Sequence, residues 1–239
     1  MLVLISLLAA RVLQKIFYGI IIGDKKMYEK ESEKTKSSLL HRNVLGSLVM
    51  FLPAISLIGG FFVKNKPDAW WYSISLTYYI TPAMPVILGA CSLFLLCYRS
   101  YDKIDTIINI LSGIFAMCVV LFPCKNPFGI ENVGYFQVPV DVSEVIHTIS
   151  TMVLFALITY NIGWLFTRGN NNLNNKIYRI CSYSMIAIMA VFYILNIASF
   201  FGFTYPEWIL LIVETSLLIL FGFAWLVKGQ LFNFSKSSS

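Results

Sequence analysis

Residues 208–227 read WILLIVETSLLILFGFAWLV, with one charge, Glu214, in an otherwise apolar run. That run decides the fold. A helix needs roughly 20 apolar residues to cross about 30 Å of hydrocarbon. Five further runs, 44–63, 70–97, 104–122, 145–166 and 180–203, come near or exceed that length. With 58% hydrophobic and only 13% charged residues in a 239-residue chain, this is more apolar sequence than a soluble core can hide. A membrane barrel would show short alternating strands, whereas stretches such as MVLFALI are apolar on every side. The expected fold class is all-α, a polytopic transmembrane bundle of six core spans.

The net charge of +6 would suggest a nucleic-acid partner in a soluble protein. Here the cations flank the spans, so no nucleic acid is expected. Lys25, Lys26, Lys30, Lys34, Lys36 and Arg42 precede the first run. Arg99 and Lys103, then Arg168, Lys176 and Arg179, then Lys228 and Lys236 occupy alternate connections. The other connections carry only Lys64 and Lys66, then Lys125, then none. By the positive-inside rule, a multi-pass cell-membrane protein follows, with the 24–43 segment and the C-terminus in the cytoplasm.

Residues 1–22 are apolar but place Ser6, Ala10, Arg11, Gln14, Lys15 and Tyr18 in one narrow stripe at helical spacing. Two placements fit: an amphipathic helix in the inner interface with both cations at headgroup level, which is preferred, or a seventh spanning helix whose stripe faces the bundle. A cleaved signal is disfavoured because the charges follow the apolar stretch. The domain plan is therefore 1–22 as that helix, 23–43 as a charged cytoplasmic linker, 44–229 as the six-helix domain and 230–239 as a polar tail.

Short motifs exclude several chemistries. Cys91, Cys97, Cys118, Cys124 and Cys181 show no metal-knuckle spacing and read as small hydrophobes. His41 and His147 lie in different segments, so no helical histidine pair exists to hold zinc. GxSxG, Walker A and GxGxxG patterns are absent, and neither a metal nor a cofactor is expected.

What remains is the polar content of the spans. Glu214 is the outlier, because an acidic residue near mid-span costs about 2.5–3.5 kcal/mol on insertion scales and therefore faces protein or water. His147 follows DVSEVI, where Asp141 and Glu144 have the D-x-x-E form of a capping box. The second run opens with WWYSISLTYYITP, which crowds Ser73, Ser75, Thr77, Tyr78 and Tyr79 ahead of Pro82 and Pro85. Trp70, Trp71 and Tyr72 read as interface anchors, and the prolines kink or end the helix. At about 1.5 Å per residue, Ser75 lies about 7 Å below Trp70, His147 about 6 Å below Ser143, Glu214 about 9 Å below Trp208 and Asn196 about 10 Å below Phe203. Similar depth from the outer face predicts one outward cavity with Ser73, Ser75, Tyr79, His147, Asn196 and Glu214 as ligand-binding residues. Small-xxx-small pairs, Ser56 with Gly60 and Ser112 with Ala116, predict close helix packing or homo-oligomer contacts.

YSISLTYYI, LLCYRSYDKIDTIINILSGIFAMCVVLFP, HTISTMVLF, NKIYRICS and the closing WLVKG, in that order, resemble an uncharacterised group of bacterial six-helix integral membrane proteins. That group is distantly similar to the DRAM-like superfamily. The resemblance covers roughly 42–229 and implies a six-helix bundle without implying an activity. The superfamily of alkaline ceramidases and progestin-type receptors is also built on Ser, Asp and His in a helical bundle, but its paired histidines in the final helix are missing here. Two function classes follow. The first is binding or transport of a small solute, ion or lipid through a polar cavity open to the outer face, with membrane lipids as partners. The second is a metal-independent membrane enzyme acting on a lipid, with Glu214 and His147 as acid and base and Ser73 or Ser75 near by; the missing nucleophile motif ranks it second.

Overall fold

A computed structural model describes residues 31–99, 103–126, 128–168 and 172–232. The expectations for 1–22, for the start of the charged segment and for the tail beyond 232 lie outside the described residues. The chain divides into Met1–Ser38 and Leu39–Ser239. In the first unit the described part is helical backbone from Glu31 onward. The second unit is an integral membrane protein's all-α bundle.

Six helices are described in chain order, the first entering this unit at Leu39: α1 (Glu31–Phe61), α2 (Ala83–Cys97), α3 (Lys103–Leu121), α4 (Val140–Tyr160), α5 (Asn172–Phe200) and α6 (Ile209–Lys228). Five are long and apolar enough to cross a membrane. α4 reaches that length by continuing through a π-helical stretch, Asn161–Leu165, and a 3₁₀ turn, Phe166–Arg168. The only described strands are β1 (Asn132–Val133) and β2 (Val138–Pro139), an antiparallel hairpin between α3 and α4.

The second apolar run departs from expectation. It is not one continuous span over 70–97. Two 3₁₀ turns, Asp68–Trp71 and Ser75–Tyr79, precede a helix of only 15 residues. Proline is the local reason. Pro82 caps α2 and Pro85 sits in its first turn, where a missing N–H costs nothing because the first helical amides have no intrahelical acceptor. The segment before them keeps its polar groups paired differently. Thr77 donates its hydroxyl to Ile74 O at 2.6 Å, Thr81 Oγ1 accepts Ala83 N–H at 3.0 Å, and two further amides turn to α6, as described below.

The expected capping box at α4 does not form either. Pro139 occupies the cap with no side-chain bond, and Asp141 lies inside the first turn. A proline at that position extends the chain directly into the helix, so Glu144 is free to cross to the 122–126 loop, where it accepts the Lys125 backbone N–H.

Packing is set by small residues where helices cross. Gly46 of α1 and Gly222 of α6 face each other so closely that an added Cβ on one would lie 2.9 Å, and on the other 2.6 Å, from the opposing carbonyl oxygen. Asn109, Ser112, Gly113 and Ala116 of α3 are all buried, and Ser92 of α2 donates to Gly113 O at 2.8 Å. The small-residue stripe is thus an internal seam between α2 and α3. A buried amide pair, Asn161 Nδ2 to Asn109 Oδ1 at 2.9 Å, fixes the π-helical stretch of α4 on α3.

The end of the bundle carrying Arg42 and Lys228 is closed by a polar lock. Arg42 Nε donates to Tyr98 Oη at 2.9 Å and its Nη1 to Lys228 O at 3.4 Å, while Lys228 Nζ donates to Phe166 O at 3.0 Å. Lys228 also lies over the Phe166 and Tyr178 rings, and Trp225, fully buried, packs against Tyr98 and Phe166. The opposite end, where the 62–82, 122–139 and 201–208 connections lie, holds the site.

Candidate functional site

At that end α5 stands apart from α4. The two pack mainly along 159–168, where Ser182 donates to Thr159 O at 3.0 Å and Phe166 meets Tyr178. Only 17% of the apolar window of α5 is buried, against 56% for α4, so toward the other end the helices enclose space instead of each other. The result is a cavity of about 840 Å³ between the 72–76 segment, α4, α5, α6 and the 202–207 turn.

Five of the six predicted site residues line it: Ser73, Ser75, His147, Asn196 and Glu214. Tyr79 does not. Its segment is a 3₁₀ turn instead of an α-helix, which rotates the ring away, and its hydroxyl donates to Cys124 O at 2.6 Å.

Glu214 is the hub. Its Oε2 accepts the backbone N–H groups of Ile74 at 2.5 Å and Ser75 at 3.3 Å, and its Oε1 accepts the Ser75 hydroxyl at 2.7 Å. The carboxylate therefore supplies the acceptors that an α-helix through 70–80 would have supplied. It staples the 3₁₀ segment to α6. In a bilayer an unpaired amide has no water to turn to, so the pairing with Glu214 is what keeps these groups satisfied.

Ser75 Oγ also lies 3.3 Å from His147 Nε2, and His147 Nδ1 is 2.9 Å from Phe122 O. A carbonyl oxygen only accepts, so Nδ1 carries a hydrogen and donates it. The Ser75 hydroxyl has a single hydrogen for two neighbours. If it points to Glu214, the histidine either donates an Nε2 hydrogen to Ser75 or leaves Nε2 as an open acceptor. If it points to His147, Glu214 must hold a hydrogen and donate it to Ser75 Oγ. The first and last arrangements of three hydrogens differ only by a concerted shift along Glu214–Ser75–His147. The chain is a proton relay in form, with its middle member on the cavity wall.

The other two residues are more locally committed. Ser73 Oγ accepts Leu76 N–H at 3.2 Å. Asn196 Nδ2 donates to Phe192 O at 2.8 Å and its Oδ1 accepts the Tyr205 hydroxyl at 3.1 Å, tying α5 to the 201–208 turn. Sequence depth alone missed the remaining lining. Met189, Phe192 and Tyr193 stand seven, four and three residues before Asn196, a stripe on the same face of α5 whose spacing is the signal that could have found them. The Phe122 carbonyl carries no sequence signal, since any residue supplies one.

Among the described residues, no group of three or more His, Cys, Asp or Glu side chains gathers as a metal ion would require. Comparison of the chain with protein-family models, with curated proteins and with solved structures finds no match.

Proposed function

We propose that this integral membrane protein binds a small ligand bearing a positive charge or hydrogen-bond donors in the cavity on the Glu214–Ser75–His147 chain. We also propose that this cavity faces the cell exterior, with the 24–43 segment and the C-terminus in the cytoplasm. One observation carries the reading: a carboxylate, a hydroxyl and an imidazole in hydrogen-bond sequence line a cavity whose size suits a small molecule and whose other walls are mostly apolar. Charged and polar groups at membrane depth point to function by default because they are costly to place there. With the Glu214 oxygens already taken by the 72–76 segment, His147 Nε2 and the Ser75 oxygen are the acceptors a ligand donor reaches, and the carboxylate supplies the attracting charge behind them.

The test is binding of a panel of small organic amines and alkali cations to the purified protein, beside Glu214→Gln and His147→Ala. Wild-type protein binds an amine that both variants lose while remaining folded. Equal binding by all three refutes the site. Reporter fusions at the 126 loop and at Ser239 test the orientation; a reporter active inside at 126 and outside at 239 reverses it.

The position of Ser75 between two proton acceptors favours a second reading, cleavage of a lipid ester. Ser75 Oγ would attack the carbonyl carbon as its hydrogen passes to His147 Nε2, the alcohol would leave with that hydrogen, and water would then release the fatty acid from Ser75. Incubation with a lipid mixture and analysis of free fatty acid decides it; lipids unchanged by wild type, or equally cleaved by Ser75→Ala, exclude it.

A further inference from the structure

The cavity changes character with depth. Measured along the helices at about 1.5 Å per residue, Asn196, Glu214 and His147 lie about 6–10 Å from the helix ends at the 62–82 side, whereas Leu217, Met189, Met152 and Phe155 lie about 12–22 Å in. All seven line the same space. A polar collar therefore sits above a mostly apolar pit that reaches into the middle of the bundle, with the Thr151 hydroxyl as a polar group on its wall. Two of the lining residues, Met152 at pit depth on α4 and Tyr193 at the foot of the collar on α5, are also 39% and 37% exposed. They stand where α4 and α5 diverge, so the pit is open sideways, at a level where the surroundings of a spanning bundle are hydrocarbon. The collar has a sign. Among the described residues, Glu144, Glu207 and Glu214 line the cavity with Lys125 as the one lysine or arginine, and Tyr72, Phe192 and Tyr205, aromatic rings of the kind that attract a cation, line it too.

From these three features together we infer that the ligand is a membrane amphiphile with an ammonium headgroup, which enters from the lipid phase between α4 and α5. Its headgroup rests in the collar by Glu214 and its chain lies in the pit over Met152, Phe155, Met189 and Leu217. This deepens the binding reading above and rests on it. A water-soluble amine would satisfy the collar equally but would leave the pit and the side opening without purpose. A lipid with an anionic head would fit the pit and be repelled by the collar.

The test places the full-length chain in nanodiscs of zwitterionic lipid and measures retained ligand by native mass spectrometry with three probes: hexadecylamine, butylamine and hexadecanoate. Hexadecylamine is retained in preference to both others. Met152→Trp fills the side opening and lowers that retention roughly tenfold, the scale of an introduced overpacking clash. Because a bulky substitution can also disturb folding, a photo-reactive amino acid at position 152 gives an independent measure. It captures hexadecylamine well above the same residue placed at Ile114, which is 41% exposed on α3 away from the cavity. Equal retention of butylamine and hexadecylamine, or equal capture at 152 and 114, overturns entry from the lipid and leaves the cavity reading standing. Equal retention of hexadecanoate overturns the headgroup assignment. Retention of no amine by wild type removes the binding reading itself.

Discussion

Removing the Glu214 carboxylate tests the central structural claim, that this side chain holds the 72–82 segment against α6. Glu214→Ala deprives three donors of their acceptor: Ile74 N–H, Ser75 N–H and the Ser75 hydroxyl. The hydroxyl can turn to His147 Nε2, 3.3 Å away, and recovers. The two amides cannot. Each buried donor left without a partner costs about 1–3 kcal/mol, and the longer Ser75 bond counts toward the lower end, so the expected loss is roughly 2–5 kcal/mol. At about 2–4 °C per kcal/mol for a domain of this size, the melting midpoint falls by roughly 4–20 °C. Glu214→Gln keeps one oxygen for Ile74 N–H and offers an amide hydrogen to Ser75 Oγ, so it keeps most of that stability while losing the charge. Fluorescence-detected gel filtration after a temperature ramp reads all three proteins. A midpoint for Glu214→Ala within a degree of wild type shows that something else holds the segment. A fall for Glu214→Gln equal to that for Glu214→Ala shows that charge, not the number of acceptors, is what matters.

Tyr79→Phe removes one hydroxyl bond to Cys124 O and lowers stability by about 1 kcal/mol; ligand retention, measured alongside, stays at the wild-type level because the ring lies outside the cavity. Arg42→Ala strips Tyr98 and the Lys228 carbonyl of their shared donor and costs about 1–3 kcal/mol, read as a lower melting midpoint, whereas Arg42→Lys recovers only part of it because an ammonium lacks the fork of donors. Gly222→Val forces a side chain against Gly46 O and Met50 where no flexible group can yield; little folded protein survives gel filtration, and the same change at Gly89, which has open space beside it, is tolerated. Asn109→Leu orphans the Asn161 amide in the bundle interior and lowers the melting midpoint by the equivalent of about 1–3 kcal/mol.

The sequence by itself determined the class of fold and most of its spans. Runs such as 104–122 and 208–227 have one stable outcome in hydrocarbon, a helix that satisfies its own backbone, and the ends of α3 and α6 fall within a residue of the apolar boundaries. That Ser75, His147, Asn196 and Glu214 share one cavity is a matter of geometry that depth along a helix could suggest but not decide, and for Ser75 the helical rise does not apply, because its segment is a 3₁₀ turn. Three things were decided only by tertiary structure. Whether 70–82 is helical depended on an acceptor 140 residues away, since Glu214 supplies what the local backbone lacks. Whether Glu144 caps its own helix depended on Pro139 setting the entry of α4 and on the Lys125 amide lying within reach. That α4 and α5 part to leave a cavity depended on where their seams close, at Ser182 and the π-helical stretch, and sequence spacing alone gives a helix its faces without saying which neighbour each one meets.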